Sequence, residues 1–222
     1  MLGATGLVGN QLVRILVRDP ECAGVVAVGR RPSGLTAPTL RDVTADLAAP
    51  ATYREQLNVD CVFCALGTTI KKAGSEDAFR RVDFEYPFTV AREAANVGAG
   101  RFVLVSAVGA NSASRVFYNR VKGELEEALR ALPFPRGIRV LRPSVLLGER
   151  SESRPGERVA ATLMKATAPL FAGALKKYRA ITAEDVARAM VTAARSEGDG
   201  VVVYEGATLF AASQGAAAAV TP

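Results

Sequence analysis

Gly3-Ala4-Thr5-Gly6-Leu7-Val8-Gly9 places three glycines at G-x-x-G-x-x-G spacing, directly ahead of an apolar helical pattern over 9–17. Glycine tolerates a tight turn, lets a ligand approach the backbone, and lets the following helix pack closely. A helix that starts here turns its free N–H groups and positive dipole end outward, which suits phosphate. Gly3, Gly6, Leu7 and Val8 would offer backbone to a dinucleotide pyrophosphate, and Thr5 a hydroxyl. The spacing departs from G-x-G-x-x-G, so an ordinary glycine-rich turn is the competing reading.

Outward from this turn, apolar runs alternate with helical patterns. Strands are expected over 23–29, near 41–43, and over 59–65, 101–105, 138–142 and 201–204. Helices are expected over 51–57, 75–97 and 114–131. A further helix should open at Thr182, where Thr182 and Asp185 resemble a capping box, and run to Arg195. Residues 30–40, rich in Pro, Gly and Thr, read as a loop, and 152–157 as an exposed turn. This order predicts an α/β fold, a doubly wound parallel sheet of Rossmann-like type with helices on both faces. The expected layout is one domain over 1–205, with a small substrate-binding segment at about 146–180. An alanine-rich tail follows over 206–222, expected to fray from 211 onward.

One element is missing. The glycine turn should follow a hydrophobic strand, and only Met1-Leu2 precede it. In the order 3-2-1-4-5-6 that first strand is central. Losing about five buried apolar residues, at ~1.5–3 kcal/mol each, is comparable to a domain's whole net stability of about 5–15 kcal/mol. The expectation is therefore a first strand truncated at the N-terminus, with native chain upstream of Met1. The alternatives are another segment in the slot, or a gap.

At 222 residues, 49% of them apolar, the chain can bury one substantial core. A net charge of +6 with scattered arginines and no aromatic-interleaved basic stripe argues against nucleic acid. The absence of histidine removes His bases, Ser-His-Asp triads and His-ligated metals, and no metal site is expected. Cys61 and Cys64 form C-x-x-C within a strand pattern, where i and i+3 face opposite ways. With Cys22 they read as reduced core thiols, which points to the cytoplasm. No run is long and apolar enough for a membrane span. Monomer and homodimer both stay open.

The second expected strand ends at Gly29-Arg30-Arg31. An NAD-selective site usually puts Asp or Glu there; two arginines suit a ribose 2′-phosphate instead, favouring NADP(H) over NAD(H). Asp46 and Leu47 could position adenine, although Asp also caps helices. Ala65, Leu66, Gly67 and Thr68 lie at a strand C-terminus, where doubly wound sheets bind ligands. Lys71 and Lys72 read better as surface charges than as an anion site. Pro143, Ser144 and Val145 follow another strand. Proline cannot extend a ladder, so the backbone should bend there and meet a nicotinamide carboxamide.

Tyr118 and Lys122 share one helix face at i,i+4, and Ser106 precedes the tyrosine by twelve residues, at a strand end. A free phenol titrates near ~10, and a neighbouring ammonium favours the phenolate. Tyr118 would exchange the substrate proton, Lys122 would bond the nicotinamide ribose, and Ser106 would donate to the substrate oxygen and steady an alkoxide. The bland alternative is a partly buried tyrosine beside a surface lysine.

Across about residues 2–205 the chain resembles the atypical short-chain dehydrogenase/reductases, specifically the Tat-interacting-protein-like oxidoreductases and their bacterial relatives. The resemblance rests on Gly3-Ala4-Thr5-Gly6, Gly29-Arg30-Arg31, Cys64-Ala65-Leu66-Gly67-Thr68-Thr69, Lys72-Ala73-Gly74, Arg81-Val82-Asp83, Tyr118-Asn119-Arg120-Val121-Lys122-Gly123-Glu124, Leu141-Arg142-Pro143 and Glu152-Ser153-Arg154-Pro155-Gly156-Glu157. It implies an NADP(H)-binding Rossmann domain, Ser106, Tyr118 and Lys122 in the catalytic positions, and a carbonyl or alcohol of small size as substrate. The alternative is an NADP(H)-binding sensor with little turnover; a nucleotide-sugar epimerase or dehydratase is a weaker third reading.

Overall fold

The computed structural model describes residues 1–147 and 180–216. The turn expected at 152–157, most of the segment expected at 146–180, and the end of the tail lie outside them.

Parallel strands form the middle layer. β1 (Val25–Gly29) pairs with β2 (Leu40–Thr44), and β3 (Cys61–Cys64), β4 (Arg101–Val105), β5 (Ile138–Arg142) and β8 (Val201–Glu205) follow one another in that order. Two short strands, β6 (Leu146–Leu147) and β7 (Ile181–Thr182), pair separately. Between β1 and β3 is the slot of the missing strand, and Leu2 sits in it, bridged to Val28 on one side and Cys64 on the other. The Leu2 N–H donates to Phe63 O at 2.8 Å and Ala65 N–H to Leu2 O at 3.0 Å, while Val28 N–H donates to Met1 O at 2.9 Å. Among the described residues no other segment enters the slot. The spatial order is thus that of a Rossmann sheet with a two-residue stub at its centre.

Alternation along the strands feeds two cores. Val103 and Val105 of β4 face one of them, with α1 (Leu7–Leu16), α6 (Ala183–Arg195) and α7 (Ala207–Ser213); Phe102 and Leu104 face the other, with α4 (Tyr86–Asn96) and α5 (Phe117–Leu129). Cys61 packs with the first core and Cys64 with the second, as the strand period requires. Thr182 caps α6 by accepting from Asp185 N–H at 3.0 Å and donates its hydroxyl to the Asp185 carboxylate at 2.7 Å; that carboxylate therefore meets the hydroxyl and not the Thr182 backbone N–H, so the N-cap is present without the reciprocal bond of a capping box.

Three stretches differ from their sequence reading. Residues 51–57 form two 3₁₀ turns, Pro50–Thr52 and Arg54–Leu57, instead of a helix. Part of the alanine-rich stretch read as frayed is α7, whose Leu209 and Ala212 are buried against the α1/α6 side; tertiary contact supplies what its weak amphipathicity does not. After the short α2 (Ile70–Ala73), the long helix expected over 75–97 is present, as α3 (Glu76–Arg80) and α4, but a π-helical turn, Arg81–Glu85, joins them. Pro87 explains it: lacking an N–H, it cannot bond the carbonyl of Asp83 four residues back. The helix widens instead, and Tyr86 N–H reaches Arg81 O.

Candidate functional site

The glycine turn is built by close contact. Gly3 has φ +82°, and a Cβ there would lie 2.5 Å from Ala65 O; a Cβ at Gly9 would lie 2.0 Å from Gly3 O. Gly6 is the N-cap of α1 and carries no side-chain cap, so the N–H groups of Leu7, Val8 and Gly9 have no intrahelical acceptor. Val8 itself is buried in the core and can offer only its backbone. Beside these donors a cleft of about 80 Å³ is lined by Gly3, Thr5, Gly29, Arg30, Arg31, Leu47 and Leu66 among others. Arg30 and Arg31 are exposed and form no ion pair among the described residues. Orphan N–H donors, unpaired guanidiniums and an apolar floor fit the phosphate and adenosine end of a dinucleotide. Asp46 differs from its expected use. It is exposed, and its carboxylate accepts from Ala48 N–H at 3.0 Å, an Asx-type turn of its own.

Tyr118 lies in the first turn of α5, half-buried, its ring tilted at 46° against Phe79 with centroids 5.5 Å apart. Lys122, one turn on, is buried under the tip of β3. Its Nζ is 2.8 Å from Asp83 Oδ1, and Asp83 Oδ2 accepts from Thr68 N–H at 2.9 Å. Gly67 passes directly over this pair, where a Cβ would be 3.4 Å from Asp83 Oδ1. Burial works to lower the Lys122 pKa, but Asp83 and the Tyr118 phenol outweigh it, and the net shift is upward. The ammonium is therefore a fixed charge, not a mobile surface group.

Ser106 follows β4 and is buried. Its hydroxyl donates to Glu126 Oε1 at 2.5 Å, not outward as the expected role requires. Glu126, on α5 one turn past Lys122, also receives Arg142 through Nε at 3.0 and 3.1 Å and Nη2 at 2.5 Å. Hydrogen bonds from Arg142 to Glu126 hold the guanidinium above its ordinary pKa. Pro143 is buried and its carbonyl accepts from Val108 N–H at 2.9 Å, while Val145 is exposed. Ser144 and Val145 thus stand at the β5 tip, outside the cleft that holds Arg30. Lys71 and Lys72 are exposed, as surface charges.

Sequence reasoning quoted Asp83 and Arg142 within motifs but gave neither a role, and it passed over Glu126. Signals existed: Pro87 four residues past Asp83 marks a helix irregularity, common near functional sites, and Glu126 continues the Tyr118, Lys122 stripe at i+4.

Comparison with known proteins fits this geometry. The chain is 36% identical over 210 residues to Protein FMP52, mitochondrial, of Debaryomyces hansenii, spanning 91% of both chains. It is 40% identical over 157 residues to Protein FMP52-1, mitochondrial, of Scheffersomyces stipitis, 69% of each. These names overturn the cytoplasmic expectation: reduced thiols report a redox state, which does not single out one compartment. Among solved structures, MoeE5 in complex with UDP-glucuronic acid and NAD superposes with TM-score 0.68 at 22% identity, over 91% of this chain and 74% of that one. The UDP-N-acetylglucosamine 4-epimerase from Methanobrevibacter ruminantium M1 gives 0.68 at 17% identity, over 92% and 74%. These likenesses show the fold. The profile of the NAD(P)H-binding family matches residues 3–197, and the chain belongs to that family.

Proposed function

We propose that this protein is an NADP(H)-dependent oxidoreductase of the atypical short-chain dehydrogenase/reductase type, similar to the Tat-interacting-protein-like enzymes, acting on a small carbonyl or alcohol. The observation that carries the reading is the buried Lys122–Asp83 pair beneath Gly67, at the strand tips beside the glycine turn, with Tyr118 one turn before Lys122 on α5. A bound nicotinamide supplies hydride exchange at the substrate carbon. The chain's own part is the proton and the placement. Tyr118 gives or takes the proton on the substrate oxygen, and Lys122, fixed in place by Asp83, presents its ammonium to the phenol's helix face. Arg30 and Arg31 favour the 2′-phosphate, since among the described residues no carboxylate lines the cleft at the end of β1.

The test is NADPH consumption against a carbonyl panel, together with NADPH and NADH binding. Turnover should fall at least about 100-fold in Tyr118→Phe. NADPH affinity should fall about 10-fold or more in Arg30→Ala or Arg31→Ala, with NADH unchanged. Tight NADPH binding without turnover would favour the sensor reading. Equal affinity for NADH and NADPH in the unmutated protein would remove the cofactor assignment.

A further inference from the structure

The two arginines that line the cleft sit between two fixed points. On one side, Gly29 O accepts from Ala45 N–H at 2.9 Å, which ties the end of β1 to the chain leaving β2. On the other, Ser33 is buried, and Asp42 of β2 grips it twice. Asp42 Oδ1 accepts from Ser33 N–H at 2.9 Å, and Oδ2 accepts from the Ser33 hydroxyl at 3.0 Å. Ser33 Oγ in turn accepts from Leu35 N–H at 3.3 Å. Only Arg30, Arg31 and Pro32 lie between these anchors. The proline ring fixes its own φ and narrows the conformations open to Arg31. Asp42 pairs in register with Ala27, which lines the same cleft, so the carboxylate stands one strand away from it. By charge alone a carboxylate in that place opposes an anionic ligand. Both of its oxygens are taken up by one residue of the loop, and what it contributes is the loop's shape.

Resting on the NADP(H) reading above, we propose that Asp42 is a positioning residue for cofactor selectivity. Its two-pronged hold on Ser33 keeps the backbone of Arg30 and Arg31 set at the cleft, so that the guanidiniums meet a ribose 2′-phosphate without the loop having to order on binding. Released from Asp42, residues 30–39 become one free connection between β1 and β2, and each binding event has to gather the arginines again. NADH carries a hydroxyl in place of that phosphate and draws no such benefit from the loop.

The experiment measures Kd for NADPH and for NADH by titration calorimetry. The proteins are the unmutated chain, Asp42→Ala, Asp42→Asn, Ser33→Ala, the Arg30→Ala/Arg31→Ala double variant, and that double variant with Asp42→Ala added. Asp42→Ala should weaken NADPH about 5- to 10-fold and leave NADH within about twofold. In Asp42→Asn the amide can accept from Ser33 N–H and donate to Ser33 Oγ, so the hold survives without the charge, and the NADPH preference should survive with it. Ser33→Ala keeps the backbone prong and should show a smaller loss, again for NADPH alone; it decides by the same ratio if Asp42→Ala does not fold. Without the two arginines, Asp42→Ala should change nothing further. A gain in NADPH affinity in both Asp42 variants reduces Asp42 to a repelling charge and overturns the proposal. Losses shared equally by NADPH and NADH, no loss for either, or the same Asp42→Ala factor with and without the arginines overturn it as well. If the double arginine variant keeps full NADPH affinity, or NADH binds the unmutated protein as tightly as NADPH, the cofactor reading itself fails and takes the positioning role with it.

Discussion

Asp83 shows how one residue can decide the state of another. Its side chain and that of Lys122 are 1% and 5% exposed, so removing one charge strands the other in a nearly dry place. Asp83→Asn should destabilise the fold by about 3–5 kcal/mol in urea denaturation, and a loss below ~1 kcal/mol would mean the pair is not buried as described. The pH sign follows from the upward shift of Lys122 from 10.5. The pair's contribution is complete below the unfolded-state pKa and disappears as pH rises through the higher folded value. The stability gap between the unmutated protein and Asp83→Asn, measured by urea denaturation, should therefore narrow as pH rises above 10.5; a gap that stays constant would refute the coupling. At this scale the sequence was half legible. Tyr118 and Lys122 declared themselves by spacing, whereas Asp83 lies 39 positions away from Lys122 and no local pattern links them.

Helix α5 is the element on which the candidate chemistry is mounted, and Gly123 fixes its seat. A Cβ there would stand 2.2 Å from Asn111 C and from Ser112 N, so the loop between β4 and α5 lies against bare backbone. That loop is tied down by Asn111 N–H donating to Asn119 O at 3.0 Å. Gly123→Ala must push the loop off the helix. We expect a loss of about 1–3 kcal/mol in stability, and a fall in kcat that exceeds any change in NADPH affinity, measured by steady-state kinetics beside a binding titration. An unaltered kcat would show that the loop does not help to place Ser106. The same scale holds a device no strand pattern reveals. Arg139, fully buried in β5, donates to the carbonyls of Glu197, Gly198 and Gly200 and to Ser196 Oγ, while Arg101 of β4 donates to Ala193, Ala194 and Ser196 carbonyls. Arg101 thus satisfies carbonyls of the last turn of α6, where intrahelical partners run out, and Arg139 those of the segment that follows it. Read along the chain, each is merely a charge in an apolar run.

For the whole molecule, Leu2 is the joint. It is fully buried, and through it the β1–β2 pair meets the four strands from β3 to β8. Leu2→Ala should cost about 2–5 kcal/mol in urea denaturation, with faster hydrogen exchange at Val28 and Ala65, whose amides bond to Met1 and Leu2 carbonyls. Unchanged exchange at those two amides would show that the halves are held together elsewhere. Most of the fold was readable beforehand because its causes are local: glycine spacing, strand and helix periods, a threonine cap. β4 and β5 fall where their apolar runs do, and the glycine turn and paired arginines do meet at one cleft. The direction of the Ser106 proton, the buried carboxylate partner of Lys122 and the burial of α7 were decided only in three dimensions. Each depends on what another element brings to the same place, and a hydroxyl, an ammonium or an alanine-rich helix takes its role from whichever neighbour satisfies or covers it.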